Sequence, residues 1–224
     1  MSEAMPLASQ EVRWFLEGNI DRHQSLKHWF EREVAAPRRD DGSLLWWQQR
    51  VDVYLMLTGS ADMGIKWREG KLQIKGRVSA CGTEVFGGRH QGAVERWMKW
   101  SYDRVPAAYR ALFTVAEVGG LMRATVRKTR ALRKMRLDTF TGKAEEVPLG
   151  AAVDRGLEVE LVDLEVAGNA YCSLAFEGFP CDPTMDAAFT QAVSAALGEL
   201  LEPRLHCDQS RSYPAWLAEL FPSR

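Results

Sequence analysis

The chain has few of the residues that staple a fold or ligate a soft metal. There are four cysteines and four histidines in 224 residues. Cys81, Cys172, Cys181 and Cys207 form no C-x-x-C pair, so the sequence reads as carrying reduced thiols and not a disulfide framework. His23 and His28 lie five apart, off a common helical face, and give a zinc site no support. No stretch approaches the ~18 apolar residues of a membrane-spanning helix. The first residues, MSEAMPLASQEVRW, lack the basic start and apolar core of a signal peptide, so a cytoplasmic location is expected, with no membrane partner. An excess of one charge is missing too. The 29 basic and 30 acidic residues leave a net charge of −1, which argues against a nucleic-acid partner bound through a global field. Any anion site must arise from local arrangement. Internal repeats, low-complexity blocks, a G-x-S-x-G elbow and a glycine-rich phosphate loop are all absent.

What is present is period-2 alternation. In GIKWREGKLQIKGRV, residues 64–78, Ile65 and Trp67 share one parity and Lys66 and Arg68 the other. Leu72 and Ile74 then alternate with Lys71, Gln73, Lys75 and Arg77, which reads as a β-hairpin turning at Glu69-Gly70. Strands are expected at 9–18, 46–57, 93–102, 156–166 and 170–179. The basic stretch 120–140 reads as a strand pair, because Thr125, Val126 and Thr129 favour strand over helix. The segments 36–43 and 78–93 read as loops, the second with four glycines and placed to gate a site. Helices are expected at 21–34 with Asp21 as N-cap, at 105–113, at 183–203 and near the C-terminus. Strands arranged mostly as hairpins give an antiparallel sheet and an α+β class. Residues 1–224 read as a single domain, with the C-terminal helices of 183–224 packing on the sheet.

The polar faces carry mainly cations: Arg13, Arg50, Lys66, Arg68, Lys75, Arg77, Lys128 and Arg130. Glu11, Asp52, Glu95, Glu158 and Glu160 are interleaved among them. On an open sheet such faces meet water. In a closed barrel one face becomes interior. The cations would then line a tunnel suited to a chain of phosphates, and the carboxylates beside it would suit Mg²⁺ or Mn²⁺. The eight tryptophans read as barrel wall more than as a ligand cage.

The order of these motifs resembles the triphosphate tunnel family, also called CYTH proteins. QRVDVYL is similar to its second strand. Lys66-x-Arg68 and Lys75 resemble its basic strand pair, Lys128-x-Arg130 its K-x-R strand, and Glu158-x-Glu160 its late E-x-E strand. The likeness spans roughly residues 9–180. At the N-terminus the family's E-x-E-x-K is replaced by Ser9-x-Glu11-x-Arg13. The resemblance implies a closed barrel of about eight antiparallel strands with helices outside. It implies metal-dependent hydrolysis of an inorganic or organic triphosphate. Glu11, Glu158 and Glu160 would be the catalytic, metal-holding residues for Mg²⁺ or Mn²⁺. Arg13, Arg50, Lys66, Arg68, Lys75, Arg77, Lys128 and Arg130 would hold the phosphates. The alternative is a binding or sensing protein for a phosphorylated ligand on the same barrel, which the altered first motif favours.

Overall fold

The computed structural model describes residues 6–32, 47–57, 60–114 and 122–222. Its elements run β1 (Leu7–Glu17), α1 (Gln24–Glu31), β2 (Gln48–Met56), β3 (Met63–Arg68), β4 (Lys71–Phe86), β5 (His90–Tyr102), α2 (Ala107–Ala111), β6 (Met122–Leu137), β7 (Ala144–Val147), β8 (Gly156–Val166), β9 (Asn169–Phe179), α3 (Pro183–Gly198) and α4 (Tyr213–Leu220). Neighbouring strands pair in the order β2-β3-β4-β5-β1-β9-β8-β6. An antiparallel ladder between β2 and β6 closes the circle into an eight-stranded barrel. The short β7 adds to the far end of β6.

Closure decides which parity is inside. On β2, Asp52 is fully buried and Tyr54 nearly so, whereas Val51 is 48% exposed. The charged parity therefore faces the interior. On β1, Val12, Trp14 and Leu16 face outward into the main core, under α1 and α3. That core is continuous with Leu26 and Phe30 of α1 and with Phe189, Val193 and Leu197 of α3. Asp182 caps α3, its carboxylate accepting from the N–H groups of Thr184 and Met185, and Pro183 opens the helix.

Several local expectations change. The hairpin turn at Glu69-Gly70 is as read, with φ of 49° and 82° at the two central residues, both left-handed as a type I′ turn requires. The supposed gating loop 78–93 is instead a continuation of sheet. β4 and β5 pair out to Phe86–His90, with two register shifts on the way. Its glycines misled because they serve a strand: Gly82 follows the second shift, Gly87 and Gly88 make the turn, and a Cβ on Gly92 would collide with Trp14 and Val12. The stretch 120–140 holds one strand of 16 residues and not a pair, because no turn residue interrupts it. Its first half pairs β2 and its second half β7. Asp21 lies inside a 3₁₀ turn, Ile20–His23, and α1 starts only at Gln24. The expected loop at 36–43 lies outside the described residues.

α4 packs into one end of the barrel. Phe15, Val126, Val162 and Tyr54 share the parity of the interior charges, and they form a second core with Trp216 and Leu217. The Trp216 ring stacks on Phe15 at 4.2 Å. Among the described residues, no helix is long and apolar enough to cross a membrane.

Candidate functional site

The remaining interior is a cavity of about 150 Å³. The barrel aims eight cations into it: Arg13 from β1, Arg50 from β2, Lys66 and Arg68 from β3, Lys75 from β4, Lys99 from β5, and Lys128 and Arg130 from β6. Four carboxylates share the lining: Glu11 from β1, Glu158 and Glu160 from β8, and Glu177 from β9. Of the expected phosphate ligands only Arg77 is missing from the lining. Its guanidinium pairs with Glu95 at 2.6 Å and with Asp62. Arg77 shares a face with its ladder partner Trp97, which does line the cavity, so its ion pairs beside the first β4 shift, and not its parity, hold the guanidinium aside.

The charges form two knots and a less neutralised remainder. In the first knot Asp52 accepts from Lys128 at 2.9 Å and Lys66 at 3.0 Å, with Arg50 at 3.9 Å. Burial alone would raise the Asp52 carboxyl, but these cations outweigh it and hold it far below the usual carboxylate range. Lys66 does not gain equally. Burial, then the charge of Lys128, pushes its ammonium well below the ordinary lysine value despite Asp52. The two lysines compete for one carboxylate.

In the second knot Glu160 takes Arg13 at 3.0 Å, Arg130 at 3.1 Å and Arg50 at 3.6 Å. Glu11 takes Arg13 at 2.9 Å and also Lys75. Burial works against the Glu11 carboxylate, yet Lys75 and Arg13 hold it down at about 2. Arg13 is thus bound on two sides, as a planar five-donor fork allows and an ammonium does not.

The remainder is cationic and strained. Among the described residues neither Arg68 nor Lys99 has a carboxylate within 4 Å. Burial is the main cause that lowers both pKa values, aided by Arg50 for Arg68 and opposed by Glu177 for Lys99. Glu158 is the acidic counterpart. It stands directly across from Glu177 in the β8–β9 ladder, and burial followed by the Glu177 charge raises its pKa. Glu177 in turn stands opposite Glu11 in the β1–β9 ladder.

The expected metal ligands are only partly placed for that task. Among the described residues no three carboxylates converge closely enough to hold an ion by themselves. Glu160 is committed to three arginines. Glu158 and Glu177, with Lys75 reaching Glu177 at 3.4 Å, are the pair left least neutralised. Mg²⁺ is commonly held by one or two carboxylates plus phosphate oxygens, so this pair fits a metal that arrives with its ligand.

Three parts of the lining lie outside the candidate site as read from sequence. Lys99 was visible as a polar-face lysine but matched no motif. Glu177, in AFEGF, reads from sequence either as an extra acidic group of the tunnel or as a partner for a strand-end cation, the second being favoured there; it lines the cavity and also pairs with Lys75. Ser212, Tyr213 and Pro214 also line the cavity. They come from the start of α4, and nothing in local sequence says that this helix enters a barrel. A larger hollow of about 730 Å³ lies outside, between α1, α3 and β6–β7, where Arg133 and Glu146 pair at 2.7 Å.

The fold and interior define the class: a closed antiparallel barrel with a paired, net-cationic interior. No family model matches this chain, and no curated protein matches it.

Proposed function

We propose that this protein binds a short polyphosphate, of the inorganic triphosphate class, inside its barrel. The observation that carries this reading is the imbalance of eight cations against four carboxylates around one cavity. The fully buried Asp52 offsets one more cation and still leaves an excess. A terminal phosphoryl group carries about −1.5 to −2 charge at pH 7, so two or three linked phosphates would match that excess. Size supports the same class. Sites for drug-sized ligands run about 300–1,000 Å³, and 150 Å³ suits a few phosphates more than a whole nucleotide.

Mg²⁺- or Mn²⁺-dependent hydrolysis of that ligand is a second reading, favoured by Glu158 and Glu177 facing each other with little neutralisation. These two would hold the ion, and the ion would supply polarisation of a phosphoryl oxygen. Arg13, Arg50 and Arg130 would orient the phosphates, and the closed wall would limit water.

The test is calorimetric titration with tripolyphosphate, with and without Mg²⁺, alongside a phosphate-release assay. Saturable binding is expected, weakened at least tenfold in Arg68→Ala and Lys99→Ala. Neither side chain has a carboxylate partner whose loss would unfold the protein, so thermal melts of both variants should match wild type. Absence of binding to the folded wild-type protein sinks the proposal. Release of phosphate only with metal selects the hydrolytic reading.

A further inference from the structure

One part of the cavity wall is built by a helix start. α4 begins at Tyr213, and its first residues face the cavity while Trp216 and Leu217 anchor it in the second core. Ser212, the N-cap, is 5% exposed and lines the cavity. A serine in this position ordinarily turns its hydroxyl onto the helix's own first N–H groups. Here it does not: the side chain makes no capping bond, and among the described residues its Oγ has no hydrogen-bond partner. The hydroxyl of Tyr213, on the same wall, is also without one among them. A buried hydroxyl left unpaired costs free energy, which a ligand oxygen would recover.

The surroundings specify an anion. The N–H groups of the first helical turn have no helical partner, Pro214 excepted because it has none to offer. The start of the helix carries partial positive charge. Lys128 lies 3.8 Å over the Tyr213 ring, and Arg13 lies 4.7 Å from the same ring. The Nε atoms of Arg50 and Arg130, both residues on the lining, are buried donors without a hydrogen bond among the described residues.

We infer that Ser212 and the start of α4 form a subsite for the terminal phosphoryl group of the ligand. This rests on the polyphosphate reading above and deepens it. Because α4 packs into the end of the barrel, the ligand must present a free phosphate end to this wall. Linear tripolyphosphate qualifies, and cyclic trimetaphosphate, which has no terminal phosphoryl group, does not.

The experiment compares tripolyphosphate and trimetaphosphate by calorimetry on wild type, Ser212→Ala and Ser212→Asp, with thermal melts of each. Wild type should prefer the linear ligand by tenfold or more. Ser212→Ala should weaken the linear ligand about tenfold and leave the melt unchanged, because the hydroxyl bonds nothing among the described residues. Ser212→Asp should abolish binding while holding or raising the melting temperature, since aspartate is a good N-cap yet repels phosphate. A structural role for Ser212 would instead move binding and stability together. If wild type binds neither ligand, the polyphosphate reading fails as a whole. If wild type binds both equally, or both variants bind tripolyphosphate as wild type does, the cavity still takes polyphosphate and the subsite assignment is wrong.

Discussion

Asp52 shows how a single residue holds the interior together. Its carboxylate is fully buried and serves Lys66, Lys128 and Arg50 at once. Removing its charge would leave buried cations without an answering anion, and breaking a buried pair from one side costs about 3–5 kcal/mol. Asp52→Asn should therefore lower the stability measured by chemical denaturation by roughly that much. Arg68→Ala, with no ion pair to lose, should change it by less than about 1 kcal/mol. Acid should act on the same groups. Glu11 has a folded pKa of about 2 against an ordinary value of 4.5, and Glu160 and Asp52 are depressed as well. Their contribution is fully present above the ordinary carboxylate range and is lost as pH falls through the folded values. For Glu11 this is on the order of 3 kcal/mol. Denaturation at constant temperature should show stability declining from about pH 4.5 toward pH 2. A flat profile across that window would mean that these ion pairs contribute little net stability. Glu158, raised by burial and by Glu177, acts with the opposite sign and at higher pH: its unfavourable contribution is relieved as pH falls through its raised value toward the ordinary carboxylate range.

At the scale of elements, α4 packs into one end of the barrel and brings Ser212, Tyr213 and Pro214 to the cavity wall. Its anchor is Trp216, stacked on Phe15 and edge-on to Tyr171 at 5.2 Å. Trp216→Ala should cost about 3–5 kcal/mol by the usual range for buried aromatic truncation. It should also weaken tripolyphosphate binding, because Ser212 and Tyr213 lose their fixed position. Titration of the folded variant checks the second effect separately from the first. Elements differ in how well the sequence foretells them. The Glu69-Gly70 turn was legible because a tight hairpin turn needs left-handed backbone, and glycine supplies it. The β4–β5 hairpin was not, because the four glycines between Val78 and Ala93 imitate a loop while meeting the needs of a long, irregular strand pair. The start of α4 was not legible as part of a site, because its partners Phe15, Tyr54 and Val162 lie far away in sequence.

For the whole molecule, the net charge of −1 hides a separation of charge between surface and interior. The cationic excess lines the cavity, so ligand binding should strengthen the fold as well as fill the cavity. Tripolyphosphate at about 100 times its dissociation constant should add about 2.7 kcal/mol of stability, and the thermal shift should shrink as salt rises. Protons should be taken up on binding. Lys66 has a lowered pKa in the free protein, and a bound anion favours its charged form. Calorimetry in two buffers of different ionisation enthalpy, at a pH above the lowered Lys66 value and below the bound one, measures this directly. Proton release in that window would contradict the assignment of Lys66 to the site.

The sequence by itself determined the antiparallel strands, the parity of each and the residues that share a polar face. That information is local: alternation has a period of two, and turns need particular backbone angles. Tertiary structure alone decided which parity is inside, because a period of two treats both faces alike. Closure between β2 and β6 buried Asp52 and left Val51 half exposed. It brought Arg13, Arg50 and Arg130 onto Glu160 from three strands. It set Arg77 apart with Glu95, and it brought Ser212 to the wall of the cavity from the far end of the chain. These are long-range pairings fixed by the whole ladder of backbone hydrogen bonds and by the packing of α4, and no short stretch of sequence contains them.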